Sequence, residues 1–228
     1  MPDGRLSASP APSSCPDFVV LLGGDYTGKS SAMSRLAEST DRLRLVSTDD
    51  TFLDARHGTV AELRRIVVRD VLPQLGRAYS ADFLAGMLQT AVVHLRDRIV
   101  EADGAGATVD RDVPTLVDSY YYKILAKCRL VGVADHPMFH WWRSFPQPAR
   151  VIYLNVSPQT AWQRSDSGRL ANRLEHYGPR PDPVNFARFQ TDLATALAEE
   201  IRHLPVTVID EQPSVADTAL AIQEALSR

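Results

Sequence analysis

An α/β fold with a mostly parallel sheet and helices on both faces is what the 228 residues predict. Three observations carry this expectation. Short apolar runs rich in β-branched residues alternate with stretches of helical periodicity. The first run ends in a Gly-rich turn followed by Lys29-Ser30. No linker or repeat divides the chain after residue 16, so one domain over 17–228 is expected.

Taken in order, residues 1–16 (MPDGRLSASPAPSSCP) are rich in Pro, Ser and Ala and are expected to be a disordered leader. Five segments read as buried strands: 18–22, 43–47, 107–110, 150–155 and 205–209. Helical patterns cover 31–38, 80–102, 115–130, 158–164, 183–201 and 214–226. The longest places Phe83, Met87, Val92, Leu95 and Ile99 three to five residues apart. Pro114 is expected to break the chain before the 115–130 helix. Ligands of such a sheet bind at the carboxyl ends of its strands.

Composition narrows the partners. With 25 basic and 28 acidic residues interspersed, the net charge of −3 gives no footing for a nucleic-acid polymer. A small-molecule partner is favoured. No apolar run is long enough to span a bilayer, and the opening residues lack the build of a signal peptide, so a cytoplasmic protein with no membrane partner is expected. Cys15 and Cys128 are a poor basis for a disulfide.

The most specific signal is the stretch DFVVLLGGDYTGKS at 17–30. Gly23, four variable positions and then Gly28-Lys29-Ser30 form a complete P-loop between a strand and a helix. Its glycines let backbone N–H groups of Gly24, Asp25, Tyr26, Thr27 and Gly28 turn inward on a phosphate, and Lys29 adds a point charge for the β and γ oxygens. Ser30 offers Mg²⁺ a hydroxyl, and Ser31 opens the helix whose N-terminus favours anions. Asp25 inside this loop is expected to point away from the phosphates, towards an acceptor.

Other polar residues fall where the sheet would deliver them. Asp110, at the end of the 107–110 strand, is a candidate Mg²⁺ partner, with Arg111 beside it; Asp-Arg-Asp is also good turn chemistry. Asp49 or Asp50, after the second strand, is a candidate base for a substrate hydroxyl, with a helix N-cap as the competing role. Around 164–182, Arg164, Arg169 and Arg173 flank a Ser-Asp-Ser-Gly stretch; a mobile lid bearing them would supply the extra positive charge that phosphoryl transfer needs and that the variable loop positions 24–27 do not provide. Arg169 and Arg173 are spaced to share a helix face. Aromatic residues at 120–122 and 139–145 supply either core or a stacking surface, and His140 has no metal-spaced partner.

Over nearly all of 17–228 the chain resembles the thymidylate kinases of the P-loop nucleoside-monophosphate kinase class. The loop Gly23-Gly24-Asp25-Tyr26-Thr27-Gly28-Lys29-Ser30 keeps the family's acidic third position. Asp110-Arg111 matches the Asp-Arg that closes the family's third strand, and Asp118-Ser119-Tyr120-Tyr121-Tyr122 looks like the Ser- and Tyr-rich helix that follows. VIYLNVSPQTAWQR is similar to the fourth strand and lid entry, and Asn172-Arg173-Leu174-Glu175 to the lid's D-R-I-E. The resemblance implies a P-loop kinase-like fold with a five-stranded parallel sheet, ATP as donor, Mg²⁺, and Arg164 and Arg173 as lid residues. It places Asp25, Asp49, Arg111 and Tyr121 on the acceptor side. Family members often dimerise through helices, and the 80–102 pattern suits either an interface or the core.

The departures lie at the acceptor. Tyr26 stands for a glycine, Thr48-Asp49-Asp50-Thr51-Phe52 for the Arg-Glu-Pro-Gly-Gly that follows strand two, and Gln89, Thr90 and Ala91 where a second phosphate-binding arginine belongs. A monophosphate would bring about two negative charges to a site without those cations. The expectation is therefore an ATP- and Mg²⁺-dependent phosphotransferase acting on a nucleoside, nucleotide or similar hydroxylated small molecule. In it Lys29, Arg164 and Arg173 stabilise the transferring group, Ser30 and Asp110 organise magnesium, and Asp49 or Asp25 orients the acceptor. A true dTMP kinase using Arg111, and a nucleotide-binding regulator without efficient transfer, remain as alternatives.

Overall fold

The structure, a computed structural model, describes residues 17–40, 42–104, 113–133 and 135–227. The expected leader therefore lies outside the described residues. Five strands form one all-parallel sheet: β1 (Val19–Gly23), β2 (Arg44–Val46), β3 (Thr115–Asp118), β4 (Arg150–Asn155) and β5 (Val206–Asp210), in the order β2-β3-β1-β4-β5. The helices are α1 (Lys29–Ser39), α2 (Gly58–Ile66), α3 (Ala81–Gly104), α4 (Tyr120–Leu130), α5 (Pro137–Arg143), α6 (Pro158–Arg164), α7 (Pro183–Ile201) and α8 (Val215–Leu226). The fold is thus α/β, with the parallel sheet expected from the alternation of patterns.

Strand β1 is the centre of the sheet, and every one of its residues is buried. Its alternation feeds two cores. Val20 and Leu22, with Phe18 just before them, face Val92, Leu95 and Ile99 of α3, the α4 tyrosines, and Phe189 and Leu193 of α7. Val19 and Leu21 face Met33 and Leu36 of α1 and Ile222 of α8. Side chains two apart on a strand share a face, so one five-residue run holds helices on both sides.

Several helix starts follow from local chemistry. Pro158 and Pro183 occupy the first turn, where a missing N–H costs nothing. Ser157 caps α6 by accepting from the Thr160 N–H (3.1 Å), Asp182 caps α7 through the Val184 and Asn185 N–H groups, and Ser214 caps α8.

The third strand departs from expectation. Residues 107–110 lie outside the described residues, and 115–118, expected to begin a helix, are instead β3, paired with β1 and β2. Pro114 precedes a strand, where proline is tolerated, and its carbonyl accepts from the Arg44 N–H at 3.0 Å. The helix begins only at Tyr120. Residues 55–74, given no element by the sequence, form α2 flanked by short 3₁₀ turns and one π turn (Val67–Val71). Val67, Val71, Leu72 and Leu84 pack there with Leu174.

The chain leaving β1 enters α1 on one face, whereas the chain leaving the adjacent β3 enters α4 on the other. Neighbouring strands that diverge in this way open a crevice at their carboxyl ends.

Candidate functional site

That crevice is a cavity of about 540 Å³. Its walls come from the loop after β1, from Thr48 and Asp49 after β2, from Asp118, Ser119 and Tyr120 after β3, and from parts of α2, α3, α4 and the 172–175 segment.

The 23–30 loop keeps its shape through two glycines with special backbones. Gly28 has φ 90°, a left-handed conformation, and a Cβ on Gly23 would lie 2.9 Å from the Leu154 carbonyl oxygen. Gly28 is also the N-cap of α1, so the first N–H groups of that helix, from Lys29, Ser30 and Ser31, open towards the loop. Lys29, only 7% exposed, folds back across it, donating to the carbonyls of Gly23 (3.2 Å) and Gly24 (2.8 Å) and to Thr27 Oγ1 (3.2 Å). Burial pushes its ammonium pKa well down, helped by the nearby Lys123 charge and opposed by Asp118 and Asp25.

Asp25 does not project freely towards the cavity. It is 5% exposed and accepts from Lys123 Nζ (2.8 Å), Lys127 Nζ (2.8 Å) and Gln190 Nε2 (3.0 Å), while its own N–H donates to Gln190 Oε1 (2.9 Å). Burial alone would raise its pKa, but the two ammonium groups outweigh burial and hold the carboxyl well below the usual range. The Lys123 pKa is raised because Asp25 more than offsets the desolvation of that ammonium. Lys123 also donates to the Gly24 carbonyl at 3.0 Å, so α4 clamps the loop from outside.

Tyr26, with φ 56°, sends its hydroxyl to Glu175 Oε2 at 2.8 Å, joining the loop to the 172–175 segment. Burial, then the Glu175 carboxylate, pushes the Tyr26 phenol pKa up. Glu175 is held in turn by the Asn172 N–H (3.0 Å). Ser119 (φ 58°) and Tyr120 (φ 46°) share the left-handed backbone, so three such residues line one cavity. Conformations of this kind cost about 1 to 3 kcal/mol each and persist where surrounding contacts enforce them.

At the end of β3, Asp118 accepts from Ser47 Oγ (3.1 Å) and Ser119 Oγ (2.8 Å). Ser47 Oγ also accepts from the Asp49 N–H (3.1 Å), which ties the β2 and β3 ends together. Asp49 lines the cavity with Arg64 Nη2 3.7 Å away, and its carboxylate accepts from the Thr51 N–H. Asp49 thus stands in the crevice, where a base would have to be, but it closes a turn rather than capping a helix: the N-cap of the next helical turn is Asp54, which accepts from the Arg56 N–H (3.0 Å).

Of the other expected residues, Asp110 and Arg111 lie outside the described residues, and the carboxylate at the end of the third strand is Asp118. Tyr121 belongs to the core: it is 1% exposed, packed with its ring tilted against Tyr120 and Tyr122, with its hydroxyl 3.4 Å from Gln147 Oε1. Arg164, at the end of α6, lies over the loop, with Nη1 3.7 Å from where a Cβ on Gly28 would stand, and Nη2 3.9 Å from Glu211. Arg173 turns away. Its guanidinium donates to the Gly178 carbonyl and lines a separate cavity of about 280 Å³. Arg169 pairs with Asp166 at 2.5 Å on the surface, and the 165–170 stretch forms turns, so Arg169 and Arg173 share no helix face. Phe139 and Trp142 are core, while Trp141 and His140 are at the surface.

Sequence reasoning missed Lys123, Lys127 and Gln190. The two lysines are four apart on α4, among residues that are otherwise mostly buried, and a buried ammonium needs a partner; that pattern was the available signal. Gln190 gives no comparable signal. Among the described residues, no cluster of three or more His, Cys, Asp or Glu is arranged to hold a metal ion, and no helix is long and apolar enough to cross a membrane. No protein-family model matches the chain, and no curated protein does.

Proposed function

We propose that the protein is an ATP- and Mg²⁺-dependent phosphotransferase, resembling thymidylate kinases, that passes the γ-phosphoryl group to the hydroxyl of a small molecule. One observation carries this reading: a Gly-rich loop, the N-terminus of α1 and Lys29 share a single crevice with Asp118 and Asp49 from the two neighbouring strand ends. The loop and helix N–H groups suit phosphate oxygens, and Lys29 is placed to exchange its carbonyl partners for them.

The donor set fits Mg²⁺. Ser30 Oγ and the Asp118 carboxylate are hard oxygen ligands, and Mg²⁺ characteristically takes few protein ligands, completing its sphere with water and phosphate. Bound there, the ion would neutralise charge on the β- and γ-phosphates. Arg164 lies beside Gly28, within reach of a transferring group over the loop. The Tyr26–Glu175 hydrogen bond holds the 172–175 segment against the loop. Asp49 faces the same crevice and is suited to orient a hydroxyl and receive its proton.

The test is Lys29→Ala, assayed for displacement of a fluorescent ATP analogue and for acceptor-dependent formation of a phosphorylated product. Wild-type protein is expected to bind MgATP and form product, and the variant to lose at least about 10²-fold in turnover with an unchanged circular dichroism spectrum. Comparable turnover in the variant would overturn the assignment. Tight MgATP binding without product across nucleosides, nucleotides and hydroxylated metabolites would instead favour a nucleotide-binding regulator.

A further inference from the structure

We propose that the acceptor is a neutral alcohol with a largely apolar body, its hydroxyl presented to Asp49; this rests on the phosphotransferase reading above. Formal charge points to neutrality. Among the described residues four basic side chains line the crevice (Lys29, Arg64, Lys123, Lys127) and four acidic ones (Asp25, Asp49, Asp118, Glu175), so they cancel. They are also engaged locally. Lys123 and Lys127 hold Asp25, and Arg64 donates to the Thr48 carbonyl (3.1 Å) beside Asp49. Lys29, at the loop, is left for the donor phosphates. Among the described residues that line the crevice, an acceptor monophosphate, carrying about −1.5 to −2, would find no surplus cation, and desolvating it unpaired is costly.

The far wall points to an apolar body. Away from the loop, the crevice is lined mainly by aliphatic side chains: Val60 and Leu63 of α2, Val67 and Leu72 of the turns that follow, and Leu88 and Leu95 of α3. A nucleobase carries several edge donors and acceptors that need polar partners in a buried site. Among the described residues of this wall, Thr90 is the uncharged polar side chain that lines the crevice. The amide that lines it, Asn172, sits beside Glu175 and accepts from the Leu174 N–H (2.8 Å).

Asp49 completes the geometry. It stands where the apolar wall meets the strand ends, and the Ser47 hydroxyl fixes its backbone relative to Asp118. In the transfer, the alcohol oxygen forms a bond to the γ-phosphorus of ATP. The bond from that phosphorus to the β,γ-bridging oxygen breaks, and its electron pair leaves with ADP. The hydroxyl proton passes to Asp49 and then to solvent.

The experiment has three arms. MgATP binding is measured by displacement of a fluorescent analogue; kcat/KM is measured for 1-octanol and 2-phenylethanol against thymidine and dTMP, with products identified by mass. Calorimetry without nucleotide then measures 1-octanol binding to wild type and to Leu88→Asn, with Val60→Asn as a second variant should Leu88→Asn fail to fold. The expected result is MgATP binding, at least a tenfold preference for the apolar alcohols, and at least a tenfold weaker 1-octanol affinity in the variant. MgATP binding with thymidine or dTMP preferred, with no alcohol phosphorylated, or with variant affinity unchanged overturns the acceptor assignment and leaves the donor reading standing. Absence of MgATP binding overturns the donor reading itself, and this inference with it.

Discussion

Asp25→Asn isolates the energetic role of the least expected feature of the site. The substitution keeps the shape of the side chain and removes a charge that two ammonium groups, each 2.8 Å away, share in a nearly dry environment. Removing one partner of a buried ionic cluster costs about 3 to 5 kcal/mol, because the remaining charges stay desolvated. With a urea m-value of roughly 2.5 kcal/mol/M, that is a midpoint shift of about 1 to 2 M, readable by tryptophan fluorescence at pH 7. The pH dependence has a definite sign. The Asp25 carboxyl pKa is depressed in the folded protein, so its stabilisation is fully present above the unfolded value of about 3.9 and is lost as pH falls through the lower folded value. The gap between wild type and variant should therefore be constant from pH 7 to about 5 and narrow only in strong acid. A midpoint shift below about 0.4 M at pH 7, equivalent to about 1 kcal/mol, would refute the view that Asp25 anchors Lys123 and Lys127.

Three further outcomes are expected. Asp49→Asn should lower acceptor-dependent turnover by about 10² to 10⁴-fold while MgATP binding persists, and a near-wild-type rate would remove Asp49 as the proton acceptor. Gly23→Ala should destabilise the protein by roughly 1 to 3 kcal/mol in urea titrations, because its Cβ would stand 2.9 Å from the Leu154 carbonyl oxygen and 3.1 Å from Thr27 Oγ1. Burial pushes the Cys128 thiol pKa up to about 12, so in a Cys15→Ser background labelling by a disulfide reagent at pH 8 should be slow in native protein and rapid in urea.

Where sequence reasoning succeeded, the determinants were local. Strand β4 and helices α6 and α7 begin and end as expected because a β-branched or apolar run, a Ser or Asp cap and a Pro at the first turn lie next to one another. The 23–30 loop is legible for the same reason. The strand at Thr115–Asp118 was not, because TLVD runs directly into a stretch of helical periodicity, and only its pairing with β1 and β2 makes it extended. The carboxylate that closes this strand is Asp118, whereas Asp110 lies outside the described residues. The α4 clamp was illegible for a different reason: Asp25 and Lys127 are 102 residues apart, and Asp25 and Gln190 are 165 apart, so their meeting is set by how α4 and α7 pack over β1. The lysines that α4 brings beside the loop are matched there by Asp25, and α4 packs with α7 on one face of the sheet.

The state of Lys29 in the free protein leads to a last prediction about binding. Its carbonyl partners accept hydrogen bonds from an ammonium without supplying a full negative charge, and burial beside Lys123 lowers its pKa. A bound triphosphate would place several negative charges at the same nitrogen and restore the protonated form. MgATP binding should therefore take up protons from buffer at pH 9, below the ordinary lysine pKa of about 10.4, and take up fewer at pH 6, where Lys29 is more fully protonated beforehand. Calorimetric titrations in two buffers of different ionisation enthalpy give the proton number directly. The same depression requires that, before ligand is added, stability rise with pH across the window between the lowered value and the ordinary one, because there the unfolded chain binds the extra proton. Uptake at pH 9 that equals uptake at pH 6, or that survives in Lys29→Ala, would mean that another group responds to the phosphates and that Lys29 is not the loop's titrating cation.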